Sequence, residues 1–373
     1  MKRKVILSVT NDLTSEQRVH KVCMFLESKG FDVLLLGRRR RKSIPLDKRS
    51  YKTKRMFLLF ERGPVFYAEY NVRLFFYLLF HRADVLVSND LDTLPANYLA
   101  ARIRGAELVH DSHEYYTGVP ELEGRPFVKK VWKRIEKYIF PKLRSVYTVN
   151  DSIAALYREE YGVDIKVVKN FPVLTDRSGF TAKTKKELGL PESKKIVLYQ
   201  GSVNMDRGLL EAIDAIQQVN DAVLLIVGDG DILEEVKGRV SALDLSEKVI
   251  FRKKVPFHEL WNYTFHAHLG ISLDKDSNIN YKYSLPNKIF DFVHAGVPVL
   301  ASDLVEIRKI FSRFDIGEMI STHDPAEIAK KINFMLNDMA RRKAWTENVV
   351  LASRELCWQN EKKVLEEVYH PFL

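Results

Sequence analysis

Short β-type runs alternate with longer helical patterns along the whole chain, and the hydrophobic period switches between them in a steady rhythm. Apolar, β-branched runs at Val5–Val9, Val33–Leu36, Val85–Val87, Glu107–His110, Val146–Val149 and Ile165–Val168 predict strands. Helical spacing fills the gaps, as in Ser15–Ser28 and Leu91–Arg104, with Gly30 and Gly105 placed as C-terminal caps. The rhythm pauses over 170–192, where Pro172, Gly179 and Pro191 interrupt it. It restarts with strands expected at Ile196–Tyr199, Val223–Val227, Val249–Phe251, Leu269–Ser272 and Pro298–Ala301. Helices are expected at Gly208–Gln218, Asp231–Leu243, His258–Thr264 and Pro286–His294, and from Ala326 onward the chain reads as mostly helical.

Such alternation builds parallel sheets with helices on both faces. The fold class expected is α/β: two Rossmann-like, doubly wound parallel-sheet domains facing a central cleft. Residues 1–170 form the first, 171–355 the second, and 356–373 a terminal helix packing back on the first. Doubly wound sheets bind ligands beyond the carboxyl ends of their strands, so the residues just after each strand are the ones to search for chemistry.

Composition narrows the class. With 46% hydrophobic and 29% charged residues in 373, the chain can bury large cores without a disulfide or metal staple. Cys23 and Cys357 lie in helical stretches without metal-ligand spacing and read as reduced, packed thiols. No apolar run approaches the ~20 residues of a membrane span. The basic Met1–Lys4 leads straight into a strand, so no secretory leader is read there. A cytoplasmic protein, peripheral on the inner face of the plasma membrane, is the expectation.

The net charge of +10 sharpens that expectation because it is unevenly spread. Arg38–Lys42 are five consecutive cations, followed by Lys48, Arg49, Lys52, Lys54, Arg55 and Arg62. Met56–Phe60, Phe66, Tyr67, Tyr70 and Leu74–Leu78 then supply aromatic and aliphatic bulk. Residues 37–82 therefore read as an anionic-membrane-facing segment, or else as a solvated loop followed by a packed helix. No nucleic-acid recognition motif accompanies the cations, so nucleic acid is not an expected partner.

Two segments of the second half carry candidate chemistry. Tyr199-Gln-Gly-Ser-Val-Asn-Met-Asp-Arg-Gly208 ends a strand and opens a helix. Gly201 permits a tight turn, the helix N-terminus offers free N–H groups, and Arg207 adds forked donors suited to pyrophosphate. Tyr283-Ser-Leu-Pro-Asn-Lys-Ile-Phe-Asp291 opens another helix, with Pro286 suited to its first turn and Ser284 to its cap. Lys288 and Asp291 would project from its first turns towards phosphates and ribose hydroxyls. In the first half, Asp90-Leu-Asp92 follows a strand, and Asp92 reads as a helix N-cap rather than a metal ligand.

Together with Val227-Gly-Asp-Gly230 and Ala295-Gly-Val-Pro-Val299, these segments resemble the donor domain of retaining GT-B glycosyltransferase family 4. Leu108-Val-His-Asp-Ser-His-Glu114 is similar to the histidine motif of that family's acceptor domain. The resemblance covers about residues 4–310 and is firmest over 196–302. It implies transfer of a sugar from a nucleotide-diphosphate sugar, with retention and no required metal or other cofactor. Gly201, Ser202, Arg207, Ser284, Lys288 and Asp291 would hold the donor, with base recognition by backbone around Lys253–Pro256. His113 matches the histidine near the donor sugar, with His110 as competitor inside the strand. Arg207 and Lys288 would carry the leaving group's charge. Asn11, Asp12 and Arg18 fall in the first acceptor-domain loop, and Glu114 would support His113. Two departures stand out: Ser202 replaces one cation of the family's basic pair, and Tyr283 replaces the first of its two glutamates. Asp274 and Asp276 are candidates to replace that glutamate. The acceptor is expected to be a saccharide, lipid-linked or part of a cell-surface polysaccharide precursor. A catalytically silent GT-B binding protein at the membrane, or a sugar-nucleotide epimerase, remains the alternative.

Overall fold

The computed structural model describes residues 2–14, 16–175 and 180–373. Met1, Ser15 and Gly179, which figure in the readings above, lie outside the described residues. The chain divides into two compact units, Met1–Asn170 with Glu361–Leu373, and Phe171–Asn360.

The first unit contains β1 (Lys4–Ser8), α1 (Gln17–Ser28), β2 (Asp32–Arg39), β3 (Lys52–Phe57), α2 (Gly63–Phe80), β4 (Val85–Asn89), α3 (Leu94–Arg104), β5 (Glu107–Ser112), α4 (Pro126–Ile139), β6 (Ser145–Thr148), α5 (Asp151–Tyr161) and β7 (Ile165–Val167). Its strands are all parallel, in the order β3-β2-β1-β4-β5-β6-β7. Central strands are apolar on both faces because helices cover both: Val5, Ile6 and Leu7 are fully buried, as are Leu35 and Leu36. Gly105 and Gly162 end α3 and α5 in the left-handed conformation, which releases the chain into the next strand at no Cβ penalty.

The second unit contains β8 (Lys195–Ser202), α6 (Leu209–Ile216), β9 (Ala222–Asp229), α7 (Leu233–Ala242), β10 (Val249–Arg252), α8 (Phe257–Thr264), β11 (Leu269–Ser272), α9 (Ile279–Lys282), α10 (Asn287–His294), β12 (Val299–Ser302), α11 (Val305–Phe314), β13 (Gly317–Ile320), α12 (Pro325–Asn337) and α13 (Met339–Glu355). The strands are again parallel, in the order β10-β9-β8-β11-β12-β13. Separate apolar cores fill the two faces, one around Leu224, Ile226 and Trp345, the other around Leu225, Phe290 and Phe292. Helix α14 (Trp358–Tyr369) begins in this unit, and its residues from Glu361 belong to the first. There the Tyr369 ring lies 6.3 Å from Phe25. Cys23 and Cys357 are both buried thiols.

In both sheets the first strand has neighbours leading away in opposite directions, so the connections reverse at β1/β4 and at β8/β11. These are the switch points where doubly wound sheets open a crevice at their carboxyl ends. Two strands escape the sequence pattern. β3 alternates lysine with threonine and ends in Arg55-Met-Phe, a cation-guarded edge strand rather than an apolar run. β13 is four residues long and carries Glu318. The cation run at 38–42 is also not one feature. Arg38 is the next-to-last residue of β2, is 7% exposed, and stacks 4.2 Å over Phe66, whereas Arg39, which ends the strand, and residues 40–42 are exposed.

Candidate active site

In the second unit the switch point gathers the donor-side candidates. Gly208, at φ 66°, precedes α6, and a Cβ there would stand 2.1 Å from the Leu273 carbonyl oxygen. Glycine alone allows this close approach, which sets Arg207 beside the end of β11. Arg207 Nη1 donates to Asp274 Oδ1 at 2.8 Å, and its guanidinium lies 4.6 Å over the Tyr281 ring. Asp274 is fully buried and also accepts from Ser272 Oγ at 3.1 Å. Burial opposes its charge, but Lys288 and Arg207 outweigh that and lower its pKa.

Lys288, from the first turn of α10, meets this pair from the other side. Its Nζ sits 4.2 Å over the Tyr199 ring and has no hydrogen-bond partner among the described residues. Burial drives its pKa down to about 8, against the attraction of Asp274 and with the repulsion of Arg207. Arg207 Nε and Ser284 Oγ are likewise buried without a partner. Among the described residues these are three groups, two of them on cations, without an acceptor around one switch point, and buried donors of this kind ordinarily have one. Asp291 stands one turn further along α10 and accepts from Gln200 Nε2 at 3.3 Å, while Gln200 Oε1 is fixed by Thr264 at 2.9 Å.

Some details differ from the sequence expectations. Pro286 occupies the cap position of α10, not its first turn, and Ser284 makes no cap hydrogen bond. Ser202 is exposed at the end of β8, and its carbonyl accepts from Tyr199 Oη at 2.6 Å. Gly201 is at φ 112°. Residues 253–256 follow β10 without regular structure. Asp276 is exposed, whereas Asp274 serves as the counter-ion of the cation pair. Gln200 and Tyr281 carried no recognisable signal as side chains that position the site.

The first unit's switch point holds a different arrangement. Arg18 is 5% exposed; its Nε and Nη2 grip Asp111, the latter at 2.8 Å, and its Nη1 donates to the Val168 carbonyl. His113, just beyond β5, lies between two carboxylates: Nε2 is 3.2 Å from Asp111 and Nδ1 3.2 Å from Asp90. The His113 backbone N–H donates to Asp90 at 2.8 Å. Burial disfavours the imidazolium, but Asp90 and Asp111 prevail and raise the pKa to about 9. A carboxylate oxygen faces each ring nitrogen, an arrangement that favours the doubly protonated, cationic ring at neutral pH.

His110 is a core residue: Nδ1 is 2.8 Å from Ser88 Oγ, the ring meets Phe140 edge-on, and burial lowers its pKa to about 4. Arg18 spends its donors on Asp111 and the Val168 carbonyl and so meets His113 through their shared partner Asp111. Asp12 is engaged by Ser43 and, at 3.2 Å, by Arg55. Asn11 is exposed, with its carbonyl accepting from Arg38 N. Glu114 follows His113, and burial and then the neighbouring Asp90 raise its pKa to about 8. Asp92 is not the cap of α3; that position is Thr93, and Asp92 accepts from Thr10 Oγ1 instead. Among the described residues, no group of three or more His, Cys, Asp or Glu is arranged to hold a metal ion.

Comparison with known proteins agrees with this two-part layout. Residues 15–171 match the family model for Glycosyltransferase Family 4, and residues 180–350 match Glycosyl transferases group 1. The chain is similar to D-inositol 3-phosphate glycosyltransferase of Xylanimonas cellulosilytica, 23% identical over 310 residues, which are 74% of this chain and 68% of that protein. Sucrose-phosphate synthase from Thermosynechococcus elongatus superposes with a TM-score of 0.80 at 17% identity, over 100% of this chain and 99% of that one. Anabaena HepE in complex with UDP-glucose gives 0.72 at 15% identity, over 98% and 99%. Likeness at these identities establishes the fold, which is GT-B.

Proposed function

We propose that this chain, whose two parts match models of glycosyltransferase family 4 and of group 1 glycosyl transferases, transfers a sugar from a nucleotide-diphosphate sugar to a lipid-linked saccharide or cell-surface polysaccharide precursor, with retention at the anomeric carbon. The observation that carries this reading is the buried, unpartnered Lys288 ammonium beside Arg207 and Ser284. A diphosphate would supply acceptors for all three, and the N-terminus of α6 would add its partial positive charge. Asp291, oriented by Gln200, would take the ribose.

As the bond to the leaving diphosphate lengthens, negative charge grows on its oxygens. Arg207 and Lys288 are already in place to receive it, so little reorganisation is needed in the transition state. His113, with both ring nitrogens committed to Asp90 and Asp111, would act on the donor sugar through its fixed positive charge, not through a free N–H. No carboxylate is assigned as a nucleophile. The acceptor hydroxyl would attack from the face the leaving group vacates, which gives retention.

Incubation with a panel of nucleotide sugars and lipid-linked acceptors, followed by NMR of the product's anomeric centre, tests the proposal. Transfer with retention is expected, together with its loss in Arg207→Ala. Inversion would overturn the stereochemical part. A second reading, a silent donor-binding protein, is favoured by Ser202, a hydroxyl where the family has a cation. Donor binding without transfer across the panel would establish it.

A further inference from the structure

The outer helices of the first unit form a surface that the proposed chemistry does not use. α2 and α3 share one core over the sheet, with Leu74 and Ala100 packed beside Ile6 and Leu34. α4 adjoins both: Trp132 lies 5.4 Å from Tyr67 of α2, and Tyr138 lies 6.4 Å from Tyr98 of α3. In α2, Phe66, Tyr70, Leu74 and Leu78 are buried, at four-residue spacing. A second apolar stripe stays in solvent. Val72, Phe76 and Phe80 follow the same spacing on an exposed face, with Phe80 76% exposed. α3 adds Ile103 at 62% and α4 adds Phe127 at 78%.

The exposed charges among these side chains are mostly of one sign. Arg73, Arg102, Lys129, Lys130, Arg134 and Lys137 are exposed. The three helices contain only two carboxylates, and of the six cations only Arg73 is paired with one of them. Glu69 accepts from Leu59 N and Phe60 N and pairs with Arg73, and Glu136 is fully buried against Lys133 and Tyr161. Aromatic side chains on convex helix faces, surrounded by cations with long apolar stems, suit a deformable anionic surface.

We propose that the exposed face of α2, α3 and α4 docks on an anionic lipid bilayer, with Phe76, Phe80 and Phe127 inserted among the acyl chains and the cations at the headgroups. Among the described residues no helix is long and apolar enough to cross a membrane, and the proposed attachment lies in the interface plane. α2 itself meets the site edge of the first unit, where Asn71 on its inner side donates to the Asp92 carbonyl at 2.8 Å. The bilayer is thus the place where a lipid-borne acceptor would be met; only that link rests on the proposed reaction, since docking itself needs no catalysis.

Cosedimentation with vesicles of phosphatidylglycerol or of phosphatidylcholine, at low and high salt, tests the docking face. The wild-type protein is expected to pellet with phosphatidylglycerol at low salt, to be released at high salt, and to stay in solution with phosphatidylcholine. Lys130→Glu/Arg134→Glu/Lys137→Glu should weaken binding on the order of a hundredfold or more. Phe76→Ser/Phe80→Ser should weaken it about tenfold or more. All five side chains are exposed, so both variants should melt with the wild type and bind nucleoside diphosphate equally well. Wild-type protein that ignores phosphatidylglycerol, or variants that bind it undiminished, would overturn the proposal. So would a wild-type oligomer that Phe76→Ser/Phe80→Ser disperses, which would give the face to a second copy of the chain. Vesicle binding without any nucleoside diphosphate binding would leave the docking face standing and remove the donor reading.

Discussion

At the carboxyl edge of the first sheet, Arg18, Asp111, His113 and Asp90 satisfy one another. At the same edge of the second sheet, Lys288 Nζ, Arg207 Nε and Ser284 Oγ are buried without a hydrogen-bond partner among the described residues. Both sheets reverse their connections at that edge, so topology does not separate them; charge accounting does. The first site brings its own counter-charges and holds one histidine in one orientation. In the second site a single carboxylate, Asp274, serves two cations, and the proposed diphosphate would bring the remaining acceptors. A closed network positions a side chain, whereas an open one binds a ligand.

The largest expected effect separates the two by stability. Asp111→Asn leaves Arg18 buried without its counter-charge and should cost about 3–5 kcal/mol in denaturant unfolding. A loss below about 1 kcal/mol would mean that the first network is not closed. Lys288→Met should do the opposite: unfolding free energy unchanged or raised, because a buried ammonium without an acceptor is replaced by an apolar side chain of similar length. The same variant, and Arg207→Ala, should lose about 10- to 100-fold in nucleoside diphosphate affinity by calorimetry. A Lys288→Met protein that is strongly destabilised would show that the lysine is structural.

Titration sharpens the contrast because the two cations shift in opposite directions. His113 is raised from 6.5 to about 9, so its stabilisation is full below pH 6.5 and is lost as the pH climbs through 9. Lys288 is lowered from 10.5 to about 8, so its penalty is full below pH 8 and is relieved towards pH 10.5. In urea unfolding, the advantage of wild type over His113→Gln should shrink across the first window. The disadvantage of wild type relative to Lys288→Met should shrink across the second. The smallest effect belongs to Ser284→Ala: a few-fold loss of diphosphate affinity, as for one neutral hydrogen bond, with stability unchanged.

Much of the fold was legible because strands buried on both faces announce themselves as apolar runs. β3 was not, since an edge strand needs cations on its rim more than apolar side chains. On the donor side, Arg207, Lys288 and Asp291 could be picked out because each follows a strand or opens a helix. That Lys288 lacks an acceptor is a fact of three-dimensional burial and leaves no trace in spacing. In the first unit, a cation after β1 suggested a ligand contact. Arg18 instead spends its donors on Asp111 and on the carbonyl of Val168, a residue 150 positions away. Asp92 resembled a cap because it sits one residue before the true cap position, Thr93.

That Arg207, Lys288 and Ser284 of the second unit receive a diphosphate is tested directly by calorimetric titration with UDP, GDP and ADP near pH 8 in two buffers of different ionisation heat. At least one nucleotide should bind with uptake of a fraction of a proton, because the diphosphate restores full charge to Lys288, and Lys288→Met should abolish that uptake and weaken binding. Binding by none of the three, or equal affinity and equal proton uptake in wild type and Lys288→Met, would contradict it.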